Sequence, residues 1–186
     1  MRAFLCFLWH KGSVKTRVYR EPLDDWLVER IIEFDRQNMQ CTLDQAGIAF
    51  PEDNRRKSFQ SGSTLIIAFD GNDIAGYVQY LRSWNDRRNI YIGSFQIQEA
   101  YRHTKLILQL MDKFIETVRS EDFAGFETNV QKVNTAAAEM YRKIGFQLKD
   151  NPRNEASWIA TAGPELLHES PIIPIIQRWR QRSGLR

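Results

Sequence analysis

Cysteine is scarce. Cys6 and Cys41 are the only two in 186 residues, they lie far apart, and neither a disulfide framework nor a metal-ligand spacing can be built from them. No apolar run approaches the roughly 20 residues of a membrane span. The opening Met1 to Trp9 is apolar for only about seven residues, and Trp9-His-Lys-Gly12 offers no small-residue cleavage site of the secretory kind. A strong positive balance is missing too. The formal net charge is +3, and residues 163–186 hold four arginines against two glutamates, which leaves the body at only +1. Such a body excludes the basic face of a nucleic-acid binder. Repeats, low-complexity segments, zinc spacings, Ser-His-Asp arrangements and dinucleotide patterns are absent as well. Together these absences predict a cytoplasmic protein with neither a nucleic-acid nor a membrane partner.

What is present fits one soluble domain, long enough to bury roughly 70% of the surface of its unfolded chain. Residues 14–19 alternate apolar and basic, a half-buried strand pattern. Glu21-Pro22 opens a helix that Trp26, Leu27, Arg30, Ile31 and Phe34 carry on as far as Met39. A short polar helix follows over 51–60, where Arg55, Arg56 and Lys57 read as a solvated face. Strands over 64–69 and 74–81 are joined by Asp70-Gly71-Asn72-Asp73, a hairpin signal. A third strand over 90–97 precedes a long helix over 104–120 with Ile107, Leu110, Met111, Phe114, Ile115 and Val118 on its core face. A strand over 123–130, a short helix, and a strand pair over 146–149 and 156–161 close the unit. This mixed order with a strand-helix-strand crossover predicts an α/β fold, a single mixed β-sheet flanked by helices. The division expected is an extension over 1–13, a domain over 14–162 and a helical extension over 163–186. In the last, Ile172, Ile175, Ile176 and Trp179 recur at helical spacing, for packing on the same domain or across a homodimer. A basic amphipathic segment can also touch an anionic membrane, but two prolines and barely three turns argue against it.

The most informative stretch is Asn134-Thr-Ala-Ala-Ala-Glu-Met-Tyr-Arg-Lys-Ile-Gly-Phe146. Asn134 suits a helix N-cap, the alanines favour helix, and Gly145 suits the left-handed stop with Phe146 as its apolar clasp. Ala137, Met140, Tyr141 and Ile144 make one face with a phenol in it. The bland reading is a core helix leading into a strand. The block also resembles the second signature of the GNAT superfamily of acyl-CoA-dependent N-acyltransferases, and the order of elements over about residues 14–161 is similar to that family throughout.

The resemblance implies an enzyme that moves an acetyl or related acyl group from CoA to a small-molecule or peptide amine. Tyr141 matches the tyrosine that protonates the departing thiolate, and Asn134 the asparagine near the pantetheine arm. Acetyl-CoA, or another acyl-CoA, is expected at the start of the long helix, where free amides meet the pyrophosphate. Ile97, Arg102, His103, Thr104, Lys105, Leu106 and Ile107 occupy that place. Both glycines of the family pattern are replaced, by Lys105 and Ile107, and no glycine lies between Gly93 and Gly125. A Cβ at either position crowds the phosphate, or strains the backbone if a positive φ is required. The Lys105 ammonium offers a compensating charge. The general base is not marked: Glu127 is the first candidate, facing opposite to Phe126 into the cleft or onto a helix, with Glu99 and His103 behind it. Residues 39–62 and 82–88 are expected at the acceptor's entrance. The lost glycines keep two other readings open, a non-catalytic binding module of the same fold and a transferase with a different acyl donor.

Overall fold

The computed structural model describes residues 14–20, 23–60 and 62–184. The expected extension over 1–13, with Cys6, and the Glu21-Pro22 step lie outside the described residues. The strands are β1 Lys15–Tyr19, β2 Thr64–Asp70, β3 Asp73–Arg82, β4 Asn89–Ile97, β5 Gly125–Gln131, β6 Gln147–Asp150 and β7 Ser157–Ala162. The helices are α1 Asp25–Gln45, α2 Glu52–Phe59, α3 Leu106–Val118, α4 Thr135–Ile144, α5 Leu166–Glu169 and α6 Ile173–Ser183, with a 3₁₀ turn at Glu99–Tyr101. All seven strands join one sheet in the order β1-β2-β3-β4-β5-β7-β6. Every neighbouring pair is antiparallel except β4 and β5, which the crossover through α3 makes parallel.

Alternation along the strands divides the interior into two cores. On β2, Leu65 and Ile67 face α1 and α2, where they meet Leu27, Ile31, Phe59 and Tyr77. Ile66 faces the other way, into a larger core with Leu110 and Phe114 of α3, Phe126 of β5 and Tyr141 of α4. The sheet is thus sandwiched, and its buried middle strands read as nearly continuous apolar runs. Among the described residues no helix is long and apolar enough to cross a membrane.

Several details differ from the sequence expectation. The first helix runs to Gln45 rather than Met39, because no breaker intervenes before Gly47, whose φ is +66°. The long helix starts at Leu106, two residues late: the Thr104 hydroxyl accepts from the Leu106 amide at 3.2 Å and so holds Thr104 outside the helix. In the tail, Ile173 and Ile176 are the buried residues of α6, whereas Ile175 is 45% exposed. That helix starts at Ile173, with Pro174 in its first turn. The tail packs on its own domain, with Arg180 ion-paired to Asp112 of α3 at 2.7 Å.

Candidate active site

The parallel pair at the centre of the sheet is short. It holds for three rungs, Asn89 to Gly125, Ile90 to Phe126 and Tyr91 to Glu127. Beyond them β4 pairs only with β3 and β5 only with β7, so the sheet splits. At the fork the Thr128 hydroxyl donates to the Ile92 carbonyl at 2.7 Å, a side chain standing where the next rung would be. Past it the facing backbone groups of the two strands have no partner across the gap, and they need one from whatever occupies it.

One side of the fork carries Tyr141, placed by a helix that matches the sequence expectation at both ends. Asn134 accepts from the Ala137 amide at 3.1 Å. Gly145 sits at φ +119°, and the Phe146 amide returns to the Tyr141 carbonyl at 2.9 Å. The Tyr141 ring packs edge-on against Phe146, with centroids 5.1 Å apart. Burial pushes its phenol up to about 12, the neighbouring Thr128 hydroxyl pulls it down, and the nearby Tyr91 phenol adds to the rise. At neutral pH this group is a protonated acid beside the fork.

The opposite face of the sheet carries the carboxylate. Glu127 points away from Phe126 and from the helices of the larger core, toward Ser83 and Asn85 beyond the end of β3. It is only 9% exposed. Its Oε1 accepts from the Ser83 hydroxyl and, at 3.4 Å, from the Asn85 amide. Directly across the last parallel rung from Glu127 stands Tyr91 of β4, which the sequence reading passed over. Burial raises its phenol above the ordinary value, hydrogen bonding from Asn129 opposes the rise, and the Glu127 charge adds to it. The Asn129 amide donates to the Tyr91 hydroxyl at 3.3 Å. Trp84, 60% exposed, lies over Tyr91 with ring centroids 5.4 Å apart. Arg153 of the β6–β7 loop donates to Asn85 at 3.0 Å and ties that loop to residues 83–88 at the same entrance. The signal for Tyr91 was available: it is the polar-tipped residue between Ile90 and Ile92, on the face opposite to theirs.

Deeper on the same face, α1 and α2 are pinned to the sheet by a buried polar network. Asp35 of α1 is fully buried and ion-paired with Arg55 of α2 at 2.5 Å. The Tyr77 hydroxyl donates to Asp35 at 2.5 Å, accepts from Arg55, and lies 3.2 Å from the Ser94 hydroxyl of β4. Arg55 is therefore not part of a solvated face, contrary to the reading of its charge run. A carboxylate one helix away captures it.

The loop before α3 gives the other expected residues. Arg102, His103, Thr104 and Lys105 are all exposed. The Tyr101 hydroxyl anchors the loop by donating to Asp70 at 2.6 Å. Leu106 is 3% exposed and faces the core, so it offers the loop only its amide. Ile107 is half-buried against the same core. The two replaced glycines leave no backbone strain: Lys105 has φ −79°, and among the described residues no side-chain-bearing residue has a positive φ. A helix start with exposed Arg102 and Lys105 beside it fits an anionic pyrophosphate in charge. Ile97 ends β4 at the mouth of the split, partly buried against the core. Glu99 and His103 stay on this exposed loop, away from the side chains gathered around Glu127.

Residues 20–146 match the acetyltransferase (GNAT) family. The chain belongs to the GNAT acetyltransferase family. Solved structures share its fold. A GNAT acetyltransferase from Staphylococcus aureus Mu50 is 17% identical with a TM-score of 0.64, covering 80% of this chain and 99% of that one. The PaiA N-acetyltransferase of Thermoplasma acidophilum, crystallised with coenzyme A, is 15% identical with a TM-score of 0.63, covering 81% and 99%. Arabidopsis thaliana NAA60, solved with a bisubstrate analogue, is 15% identical with a TM-score of 0.55, covering 79% and 98%. No curated protein sequence matches the chain. The split between β4 and β5 therefore belongs to a GNAT acyltransferase fold, as do the single mixed sheet and its flanking helices.

Proposed function

We propose that this GNAT chain is a cytoplasmic N-acetyltransferase that transfers an acetyl group from acetyl-CoA to a primary amine by direct attack. The observation that carries the reading is the pair at the fork, a buried phenol held protonated on one side and a buried carboxylate on the other, with Tyr91 paired across from the carboxylate. Acetyl-CoA supplies an activated thioester carbonyl. Arg102, His103, Thr104 and Lys105, with Leu106 behind them and the amide of Ile107, would hold its phosphates at the start of α3. Ile97 and Asn134 would flank its pantetheine arm. Glu127 takes the proton that the amine loses as its nitrogen bonds to the acetyl carbon. Tyr141 gives its proton to the sulfur as the carbon–sulfur bond breaks, so no charge is left on either product. A primary ammonium arriving past Trp84 would meet a ring face and then the Glu127 carboxylate, both of which favour a cation. It loses a first proton to water to become the neutral amine, its second goes to Glu127 as the bond forms, and solvent then reprotonates Tyr141 and takes the Glu127 proton.

The negative φ at Lys105 supports this reading over that of a decayed module, since the lost glycines cost close approach but no strain. The test is calorimetric titration of the full chain with acetyl-CoA, followed by a panel of amines assayed for thiol release. The expected affinity is weaker than about 10 μM, equivalent to roughly 7 kcal/mol, because Cβ atoms stand at both glycine positions. Lys105→Ala should weaken CoA while leaving the dephosphorylated pantetheine fragment unaffected. No heat at millimolar acetyl-CoA would select the binding-module reading instead.

A further inference from the structure

We propose a second ligand site, for a small planar anion, between the edge strand β1, the first turns of α1 and the β2–β3 turn. A cavity of about 430 Å³ opens there, within the roughly 300–1,000 Å³ common to small-molecule sites. It lies three strands from the fork and belongs to no part of the acyl-transfer site. Strand alternation sets Lys15, Arg17 and Tyr19 on one face of β1, with Lys15 paired across to Phe69. Helix α1 covers Leu65, Ile67 and Tyr77 but leaves this outer strip of the sheet bare.

The lining has two kinds of group in unusual proportion. Rings come from Tyr19 and Phe69, edge-to-face at 6.4 Å, and from Trp26, which is 54% exposed. Cations stand over two of them: Arg17 is 5.9 Å from the Phe69 centroid and Arg30 is 5.7 Å from that of Trp26. Among the described residues neither Lys15 nor Arg17 has a carboxylate within ion-pair distance. The one acid in the lining, Asp70, is occupied by the Tyr101 hydroxyl. Three cations against one engaged carboxylate, around a ring-lined space, fit a flat apolar ligand that bears a carboxylate or phosphate.

The site also touches the loop before α3. Arg30 donates to the Asn72 carbonyl in the β2–β3 turn, and Asp70 of that turn holds Tyr101, the residue before Arg102. An anion in the cavity competes with the Asn72 carbonyl for Arg30. That loosens the turn and, through Asp70 and Tyr101, the loop that holds the donor's phosphates. This coupling rests on the acyl-CoA reading; occupancy of the cavity does not.

The test is calorimetric titration of the full chain with 2-naphthoate, 2-naphthyl phosphate and 2-naphthylmethylamine. At least one of the two anions should bind with 1:1 stoichiometry, the tighter naming the head group, and the cation at least about 10-fold more weakly. Arg17→Gln and Trp26→Ala, both at exposed positions, should each weaken that anion about 10-fold at unchanged melting temperature. Equal affinity for anion and cation, or an unchanged affinity in Arg17→Gln, overturns the site. With the better anion saturating, CoA should bind about 5-fold more weakly, and this effect should vanish in Tyr101→Phe. An unchanged CoA affinity overturns the coupling. Absence of CoA binding in any condition refutes the donor reading, and the anion titration is then judged separately.

Discussion

Tyr141 is the residue on which the chemistry can be checked most directly. Tyr141→Phe keeps the ring, its packing on Phe146 and the helix, and removes only the transferable proton. We expect turnover to fall about 10²-fold or more, with CoA affinity and melting temperature almost unchanged. A structural tyrosine would give the reverse: about 1 kcal/mol of stability lost with one buried hydrogen bond, and turnover intact. Its pKa sets the pH behaviour. Because the folded value, about 12, lies above the ordinary 10, the phenol's contribution to stability is complete below pH 10 and is lost as pH rises through 12. Between those limits this one group costs the fold up to about 1.4 kcal/mol per pH unit. Alkaline unfolding of Tyr141→Phe should be correspondingly shallower, and full activity in the variant would remove the assigned role. Residue types at this site were partly legible. Asn134, Tyr141 and Gly145 carry their own local signals, a cap, a helix face and a stop. Glu127 could be narrowed only to one face of β5, since its partners Ser83 and Asn85 lie 44 and 42 residues away.

At the scale of elements, periodicity located the helices by their one buried face, and the middle strands showed as short apolar runs because both of their faces are buried. The ends were less legible, because caps depend on single hydrogen bonds such as Thr104 to Leu106. The Asp35–Arg55 pair was invisible for another reason: a charged residue on a helix reads as solvated unless its partner is known. That pair now makes a prediction of its own. Asp35→Asn keeps the shape but leaves the Arg55 guanidinium buried with its charge unmatched. The fold should lose about 3–5 kcal/mol, measured by urea denaturation. A double variant, Asp35→Leu with Arg55→Met, should recover much of that loss. If the single variant lost less than 1 kcal/mol, the network would not be what holds α1 and α2 to the sheet. Since Ser94 of β4 shares this network, the same variants should also disturb acceptor binding more than CoA binding.

For the whole molecule, the tail is the least expected contributor. The family match ends at residue 146, yet Leu166, Leu167, Ile173 and Ile176 belong to the same core as Tyr141 and Phe114. Ile173→Ala or Ile176→Ala should each cost about 2–5 kcal/mol, the range for emptying a packed aliphatic site, as read from the denaturation midpoint. A cost below 0.5 kcal/mol would show the tail to be an accessory. This packing also bears on how the chain is made. A ribosome adds about 5–20 residues per second, so residues 163–183, which hold α5 and α6, follow β7 by roughly 1–4 s. Over that interval the α3 flank that Arg180 will grip has no tail to cover it, which makes this strip of the half-made protein the natural place for a chaperone to hold.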